Sequence, residues 1–427
     1  MKKLPFQKPF NSTIKRPFSV FDALILLILF PAIVFGADSP TVLVNNGNET
    51  KKIGMDISGY VKSLNFFTQT SGLNPEIVDR PLAIGKEKIN VFSSMERVRL
   101  QTKVYLRLTE KERLTLKVDY DHQPYFGSFV STGDFRIVKR QSEERQFLDL
   151  SQTLVEEDDV FYEHRLYRAS VAYESEYFDL EVGRQQIPWG RGHFFTPTDL
   201  FNPFNPTQIE LDERDGVDAA NLIIKNIKGI KTQFVYTPPG KQLHPQRYLA
   251  RISKDIKNYE VGLIGGRVKR DWAYGFDLQG NLKSSAIRGE FLYREARLEK
   301  DFIQFMVNAD YNFPHNIYGL IEYYFNGQGR LKPADYQLDR LIRGEIQQLG
   351  KNYLAFLLGH NLTPLIRVEN RFIYNLDDTS FFERPEIRYE IKPNLVLTLG
   401  TQFYLGANND EFGRPKNLYL GEVKYSY

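Results

Sequence analysis

Eight cations, Arg97, Arg99, Lys103, Arg107, Arg288, Arg294, Arg367 and Arg371, occupy the polar phase of segments whose alternate residues are uncharged. Guanidinium groups repeated along a water-facing wall would steer an anionic solute. The same groups also suit a plainer task, cross-strand pairing with carboxylates on the same phase such as Glu290, Glu322, Glu369 and Glu386. A second set lies in one connector: Trp189, Arg191, His193, Phe194, Asp199 and Asn202, within a stretch dense in Gly, Pro, Asn and aromatics. Aromatic rings with amides and one or two charges suit a sugar or a small aromatic acid, provided this connector folds into a lumen. If it caps the rim instead, Trp189 belongs to an interfacial girdle and the prolines merely stiffen the chain. Catalysis has no comparable support. His122, His164, His193, His244, His315 and His360 are scattered, and neither HExxH nor GxSxG occurs. The chain contains no cysteine, which removes thiolate metal sites and disulfide scaffolds. No catalytic residue, metal ligand or cofactor site is expected.

These side chains need strands to carry them. In "MERVRLQTKVYLRLTEKERLTLKVDYDH", Val98, Leu100, Thr102, Val104, Leu106 and Leu108 alternate with Arg97, Arg99, Gln101, Lys103, Tyr105 and Arg107, a period of two that only a strand gives. After the polar turn 109–113, Leu114, Leu116, Val118 and Tyr120 continue the uncharged face. The rhythm recurs to the end of the chain, with outward faces expected at Tyr167–Ala169–Val171–Tyr173, at Ile303–Phe305–Val307 and at Leu395–Leu397–Leu399, among others. Each block runs about nine to twelve residues, the length a tilted strand needs to cross a hydrocarbon core. A one-residue slip of the first strand would turn Arg97, Arg99, Lys103 and Arg107 toward lipid at roughly 2–4 kcal/mol each, so the register is strongly held.

Connector lengths give an independent criterion. Segments 68–95, 124–163, 188–213, 327–351 and 406–416 are long, whereas 109–113, 174–177, 226–229, 254–258, 282–286 and 392–394 are short. Long outer loops alternating with short periplasmic turns describe an all-β, antiparallel transmembrane β-barrel of about eighteen strands. Sixteen is the alternative count, because 268–271 and 297–301 are brief. A barrel this wide is not filled by wall side chains alone, so the polar phase implies water or an inserted loop. Within 327–351, Leu338, Leu341, Ile342 and Ile346 have near-helical spacing and predict a short amphipathic helix.

The N-terminus carries Lys2, Lys3, Lys8, Lys15 and Arg16 before an apolar run from Ala23 to Phe35. That run is too short for a membrane helix, which needs about 20 residues. It reads as a signal peptide over 1–36, cleaved after Gly36 or Ala37, followed by a short periplasmic segment 37–52 and a barrel over 53–427. So short a segment leaves no room for an energy-coupling plug domain. The net charge of +3, from 56 basic and 53 acidic residues, gives no block suited to nucleic acid.

Two stretches carry a resemblance. "GRQQIPWGRG" with "PTDLFNPFNP" and "RDGVDAANL", and the ending "NLYLGEVKYSY" with its terminal Tyr427, resemble Gram-negative outer-membrane porin-like barrels, similar in layout to the alginate-export barrels. The resemblance implies a channel in the cell outer membrane, in contact with lipid and lipopolysaccharide, whose last strand is read by the barrel-assembly machinery. It does not imply alginate as the solute. The expected function is passive diffusion or export of small hydrophilic solutes by a monomer or trimer, with a surface adhesin or structural barrel, then a hydrolase, as alternatives.

Overall fold

The structure, a computed structural model, describes residues 52–70, 89–203, 205–212, 214–227, 229–240 and 245–427. The expected signal peptide and most of the segment after it lie outside these residues. Nineteen strands follow in order: β1 (Lys52–Thr70), β2 (Ile89–Arg107), β3 (Arg113–Phe126), β4 (Ser151–Glu157), β5 (Val160–Glu174), β6 (Phe178–Gln185), β7 (Val217–Ile227), β8 (Ile230–Thr237), β9 (Arg247–Ile256) and β10 (Tyr259–Val268). The series continues with β11 (Asp271–Leu282), β12 (Ser285–Glu295), β13 (Phe302–Phe313), β14 (Ile317–Asn326), β15 (Asn352–Asn361), β16 (Ile366–Asn375), β17 (Phe381–Lys392), β18 (Leu395–Leu405) and β19 (Leu418–Ser426).

Every strand pairs antiparallel with its neighbours, and β19 returns to β1 through Tyr60↔Ser426 to Thr68↔Leu418. Closure removes the edges that an open sheet would expose. The barrel wall contains eighteen strands, because β3 pairs directly with β5 and the short β4 adds only to the long-loop end of β5. At the closing seam, Gly59 N–H donates to the Tyr427 carbonyl and Tyr427 N–H to the Gly59 carbonyl, both at 3.0 Å. The Tyr427 hydroxyl donates to the Arg99 carbonyl at 3.2 Å, so the last residue is fastened to two strands.

Alternation sorts the side chains as a membrane barrel requires. Leu263 and Val307 are 60% and 53% exposed, while their chain neighbours Ile264 and Met306 are 4% and 0%. The outward phase forms a greasy belt that only hydrocarbon or another apolar surface can cover, which makes this a membrane-spanning barrel. One expected outward residue turns in. A register shift between Asp119 and Tyr120 opposite β5 places Tyr167 on the lumen side, 3% exposed, with the Arg99 guanidinium 3.7 Å above its ring. A bulge flips the phase of the strand beyond it, and bulges leave no clear mark in a pattern of alternating apolar residues.

The lumen is less polar than the charged phase of β2 and β3 implies. Ile187, Trp189, Phe201, Val217, Val235 and Leu292 make one buried apolar cluster. Phe194, Phe195, Met306, Tyr324, Tyr353 and Phe382 make another. Both join inward-facing strand residues to the connector after β6. Helix α1 (Gly133–Glu144), in the connector after β3, starts at Thr132, whose hydroxyl accepts from Phe135 N–H at 3.2 Å. Its Phe135 packs edge-on against Phe161 of β5. The helix expected in 327–351 is only Leu338–Ile342 (α2), with none of its residues buried; Ile346 is buried just beyond it. The Gln141 side chain of α1 donates to the Ile342 carbonyl at 2.7 Å, joining the two connectors at the long-loop end.

Candidate functional site

The connector 186–216 leaves β6 and crosses the lumen before rejoining the wall at β7. Gly183 lets it depart: its φ of +123° and a Cβ position 2.3 Å from the Ala169 carbonyl oxygen admit no other residue without strain. The first half is held by two carboxylates. Glu290 of β12 accepts from the backbone N–H of Arg191, from Gly192 at 2.8 Å, and from both the N–H and the hydroxyl of Thr198 at 2.8 and 2.7 Å. Glu322 of β14 accepts from the N–H groups of His193, Phe194 and Phe195 at 2.8, 3.1 and 2.7 Å. It also accepts from the Asn308 amide at 2.9 Å. The chain turns tightly enough to present these amides only because residue 192 is glycine, whose Cβ would fall 1.7 Å from the Phe195 carbonyl oxygen. Buried carboxylates satisfied by several amides are stable anchors, where one left unpaired would be costly.

Side chains complete the attachment. Trp189 donates its indole N–H to Gln233 at 3.0 Å and packs edge-on against Phe201 at 4.9 Å. Arg191 reaches Asp277 at 3.1 Å and Glu260 at 2.7 Å. Phe195 stacks on Tyr324 with ring centres 4.5 Å apart. Asp199 accepts from the N–H groups of Phe201 and Asn202 at 3.3 and 3.1 Å, and burial pushes its carboxyl above the ordinary value against the pull of those bonds and of Arg214.

The second half crosses to the opposite wall. Glu210 accepts both terminal nitrogens of Arg97, at 2.8 and 2.9 Å, and pairs with Lys62 of β1. Burial pushes the Glu210 carboxyl up, yet Arg97 and Lys62 outweigh it and hold the group well below its ordinary value. Arg384 of β17 donates to the Gln208 and Ile209 carbonyls at 3.0 Å, and Gln402 of β18 to that of Thr207 at 3.2 Å. One connector therefore bridges the lumen from β8–β14 to β17–β18 and β1–β2.

Cavities lie on either side of it. Toward the long loops, one of about 890 Å³ has Pro197, Asp199 and Phe201 on the connector side and Arg247, Arg294 and Gln348 around it. Toward the short turns, one of about 350 Å³ is lined by Arg367, Arg371, Arg384 and Arg388 together with Glu369, Glu386, Glu390 and Glu422.

The eight cations read from the sequence do not form one ladder. Arg97 is spent on Glu210, and Arg99 is clamped to Asp121 by contacts of 2.5 and 2.6 Å. Lys103 and Arg107 are exposed toward the short turns. Arg294 pairs with Asp271 at 3.0 Å near the opposite rim. Arg288 pairs with Asp310 at 2.7 Å, and Arg367 and Arg371 share Glu369 at 3.0 and 2.8 Å. Carboxylates interleaved between strands neutralise most of the row. Two of the eight, Arg288 and Arg371, both act electrostatically on the imidazole of His193. Burial first, then these two guanidinium groups, push that imidazole below its ordinary value, against Asp310 and Glu369.

Glu210 and Lys62 were not singled out by sequence. The available signal was a short acidic run, "ELDERD", after a connector almost free of charge. Glu290 and Glu322 were legible as lumen residues, but their partners are backbone amides, which carry no sequence signature.

No family model matches the chain, and no curated protein matches it. Solved structures do. OccAB4 of Acinetobacter baumannii aligns with a TM-score of 0.52 and 9% identity, covering 87% of this chain and 98% of that one. OccK8 (OprE) of Pseudomonas aeruginosa aligns with a TM-score of 0.50 and 10% identity, covering 87% and 98%. At such identities the likeness concerns fold. The chain has the fold of the porin-type transmembrane β-barrels.

Proposed function

We propose that the protein is a non-enzymatic, passive channel of a Gram-negative outer membrane, admitting small hydrophilic solutes past a constriction built by connector 186–216. The observation that carries this reading is a connector fastened to both walls, with a cavity on either side of it, the one toward the short turns lined mainly by charged side chains. His193 lies on this connector, within the electrostatic reach of the Arg288–Asp310 and Arg371–Glu369 pairs. Because each guanidinium there has a carboxylate partner, the fixed charges cancel at short range, and the channel discriminates by size and hydrogen bonding more than by charge.

Planar bilayers test this directly. Folded, reconstituted protein should give discrete conductance steps, a reversal potential near zero under a KCl gradient, and liposome swelling with small sugars. Folded protein that passes neither ions nor sugars would overturn the reading, and strong anion selectivity would overturn its electrostatic half.

A further inference from the structure

A barrel wall in hydrocarbon relies on an unbroken hydrogen-bond ladder, because lipid offers the backbone no partner. Proline gives the ladder no N–H and is uncommon inside a sheet. Two prolines lie within the described strands, Pro124 of β3 and Pro385 of β17. Pro124 stands two residues from the long-loop end of β3, at the mouth. Pro385 stands within the wall. Its pairing with β16 is intact through Asn370↔Pro385 and Arg371↔Arg384. Toward β18 the register runs from Glu383↔Phe403 to Glu386↔Gly400, and pairing lapses at Arg384 and Pro385 between them. The missing N–H is therefore lost on the β18 side. The lapse lies inside the greasy belt: the exposed Leu399 and Leu405 flank Thr401, which the register sets opposite Pro385, and the exposed Ile387 follows Pro385 on β17.

The outer lip of this seam is polar. Asn370, Pro385 and Thr401 share the outward phase, and the Asn370 amide donates to Glu383 at 2.8 Å. The Asn370 Oδ1 and Thr401 Oγ1 atoms are shut off from solvent and have no hydrogen-bond partner among the described residues. Unpaired buried polar atoms destabilise the closed arrangement, so the wall is held less firmly here than along its unbroken ladders. The inner lip opens on the cavity of about 350 Å³ at the short-turn side of the connector, since Arg384, Glu386 and Thr398, all beside the lapse, line it. Gly400, opposite Glu386, puts no side chain across the gap. The cavity has two characters. Leu64, Ile209 and Leu420 give it an apolar side. Its ionic groups carry both signs in nearly equal number, Arg384 being held to Glu386 at 2.9 Å.

We propose that the seam between β17 and β18 at Pro385 is a side portal joining this cavity to the lipid, and that it admits single-chain amphiphiles with a zwitterionic head. A dipolar head finds partners for both its charges among the paired arginines and glutamates, where a net charge of either sign gains little. The tail follows the apolar side of the cavity and leaves past Pro385 into hydrocarbon. Such entry bypasses the mouth and the constriction, and so goes beyond passage of hydrophilic solutes along the barrel axis.

The probe is N-dodecyl-N,N-dimethylglycine with a photoactivatable diazirine in its tail, added to proteoliposomes that hold the folded protein, with adducts mapped by mass spectrometry. Labelling is expected at Ile209 of the connector and Leu420 on the inner phase of β19. It should saturate, and unlabelled N-dodecyl-N,N-dimethylglycine should compete, whereas glycine betaine, which has the head without the tail, should not. Pro385→Val returns an N–H to the ladder and should cut this lumen labelling about fivefold, the effect of one net hydrogen bond on an opening equilibrium. Labelling of Val307 on the lipid-facing wall should stay unchanged. The lock I387C/L399C joins directly opposed residues, whose Cα spacing of roughly 4.5–5.5 Å suits a disulfide. With no native cysteine to interfere, oxidation should abolish lumen labelling and reduction restore it. Lumen labelling that survives both Pro385→Val and the oxidised lock would mean entry through the mouth and would overturn the proposal. So would absence of lumen labelling in the unmodified protein, or equal competition by glycine betaine. None of these results depends on whether the lumen conducts ions.

Discussion

Substituting Glu322 by alanine should free the constriction without disturbing the wall. The three amides of His193, Phe194 and Phe195 all donate to this carboxylate, and the Asn308 amide adds a fourth bond. Hydrogen bonds to a charged acceptor contribute about 1.5–3 kcal/mol each. Taking the low end for the three backbone bonds, since the released segment gains access to water, the loss is on the order of 4 kcal/mol. At about 1.4 kcal/mol per decade, the population with residues 193–195 detached rises on the order of 10³-fold. Amide hydrogen exchange reads that population directly, and those residues should exchange faster by that factor while the β12–β14 ladders keep their protection. Single-channel recordings of the same variant should show larger and noisier steps. Glu322→Gln, which keeps one acceptor oxygen, should fall between the two. Unchanged exchange at 193–195 in E322A would refute the claim that this carboxylate fastens the segment, whatever the conductance does.

Other consequences are equally specific. Burial raises the Glu411 carboxyl from near 4.5 to about 7, in the connector where it accepts from Leu349 N–H at 2.8 Å and from Tyr353. The folded state therefore holds this proton more tightly than the unfolded one, so stability falls as pH rises from about 4.5 to about 7, by roughly 3 kcal/mol, then levels off. Exchange at Leu349 and 407–412 should accelerate over that interval in the native protein and not in E411Q; identical profiles would rule this out. Glu210 behaves oppositely: its carboxyl is held below the ordinary 4.5, so its contribution is present above pH 4.5 and is lost only as pH falls further. Glu210→Gln should cost about 3–5 kcal/mol in the attachment of 207–212, because Arg97 and Lys62 stay buried without their carboxylate; unaltered exchange there at pH 7 would count against it. Val307→Arg, on an outward position 53% exposed, should lower unfolding stability in lipid vesicles by about 2–4 kcal/mol, and a neutral effect would contradict the lipid-facing assignment.

Much of this architecture is written locally. A strand shows its two faces at every second residue, so Val98, Leu116 and Val307 announce the outward phase without any partner being known. Connector lengths then order the strands, and eighteen of them close the wall. Where local reading misplaced a residue, the cause was a single event with no periodic trace, the register shift that turns Tyr167 inward. The amphipathic spacing of Leu338 to Ile346 likewise marked a helix, but the chain stays helical only to Ile342 before bending to bury Ile346.

The lumen obeys a different logic. Glu290 meets Arg191 across 99 positions, Arg97 meets Glu210 across 113, and Arg384 meets Gln208 across 176. Such pairs exist only after the wall has curved and the connector has entered it. Tertiary structure alone settled which arginines were neutralised and by which carboxylates. The reason is physical: facing a membrane is a property each residue has alone through its transfer free energy, whereas a partner inside the barrel is set by closure of the whole sheet.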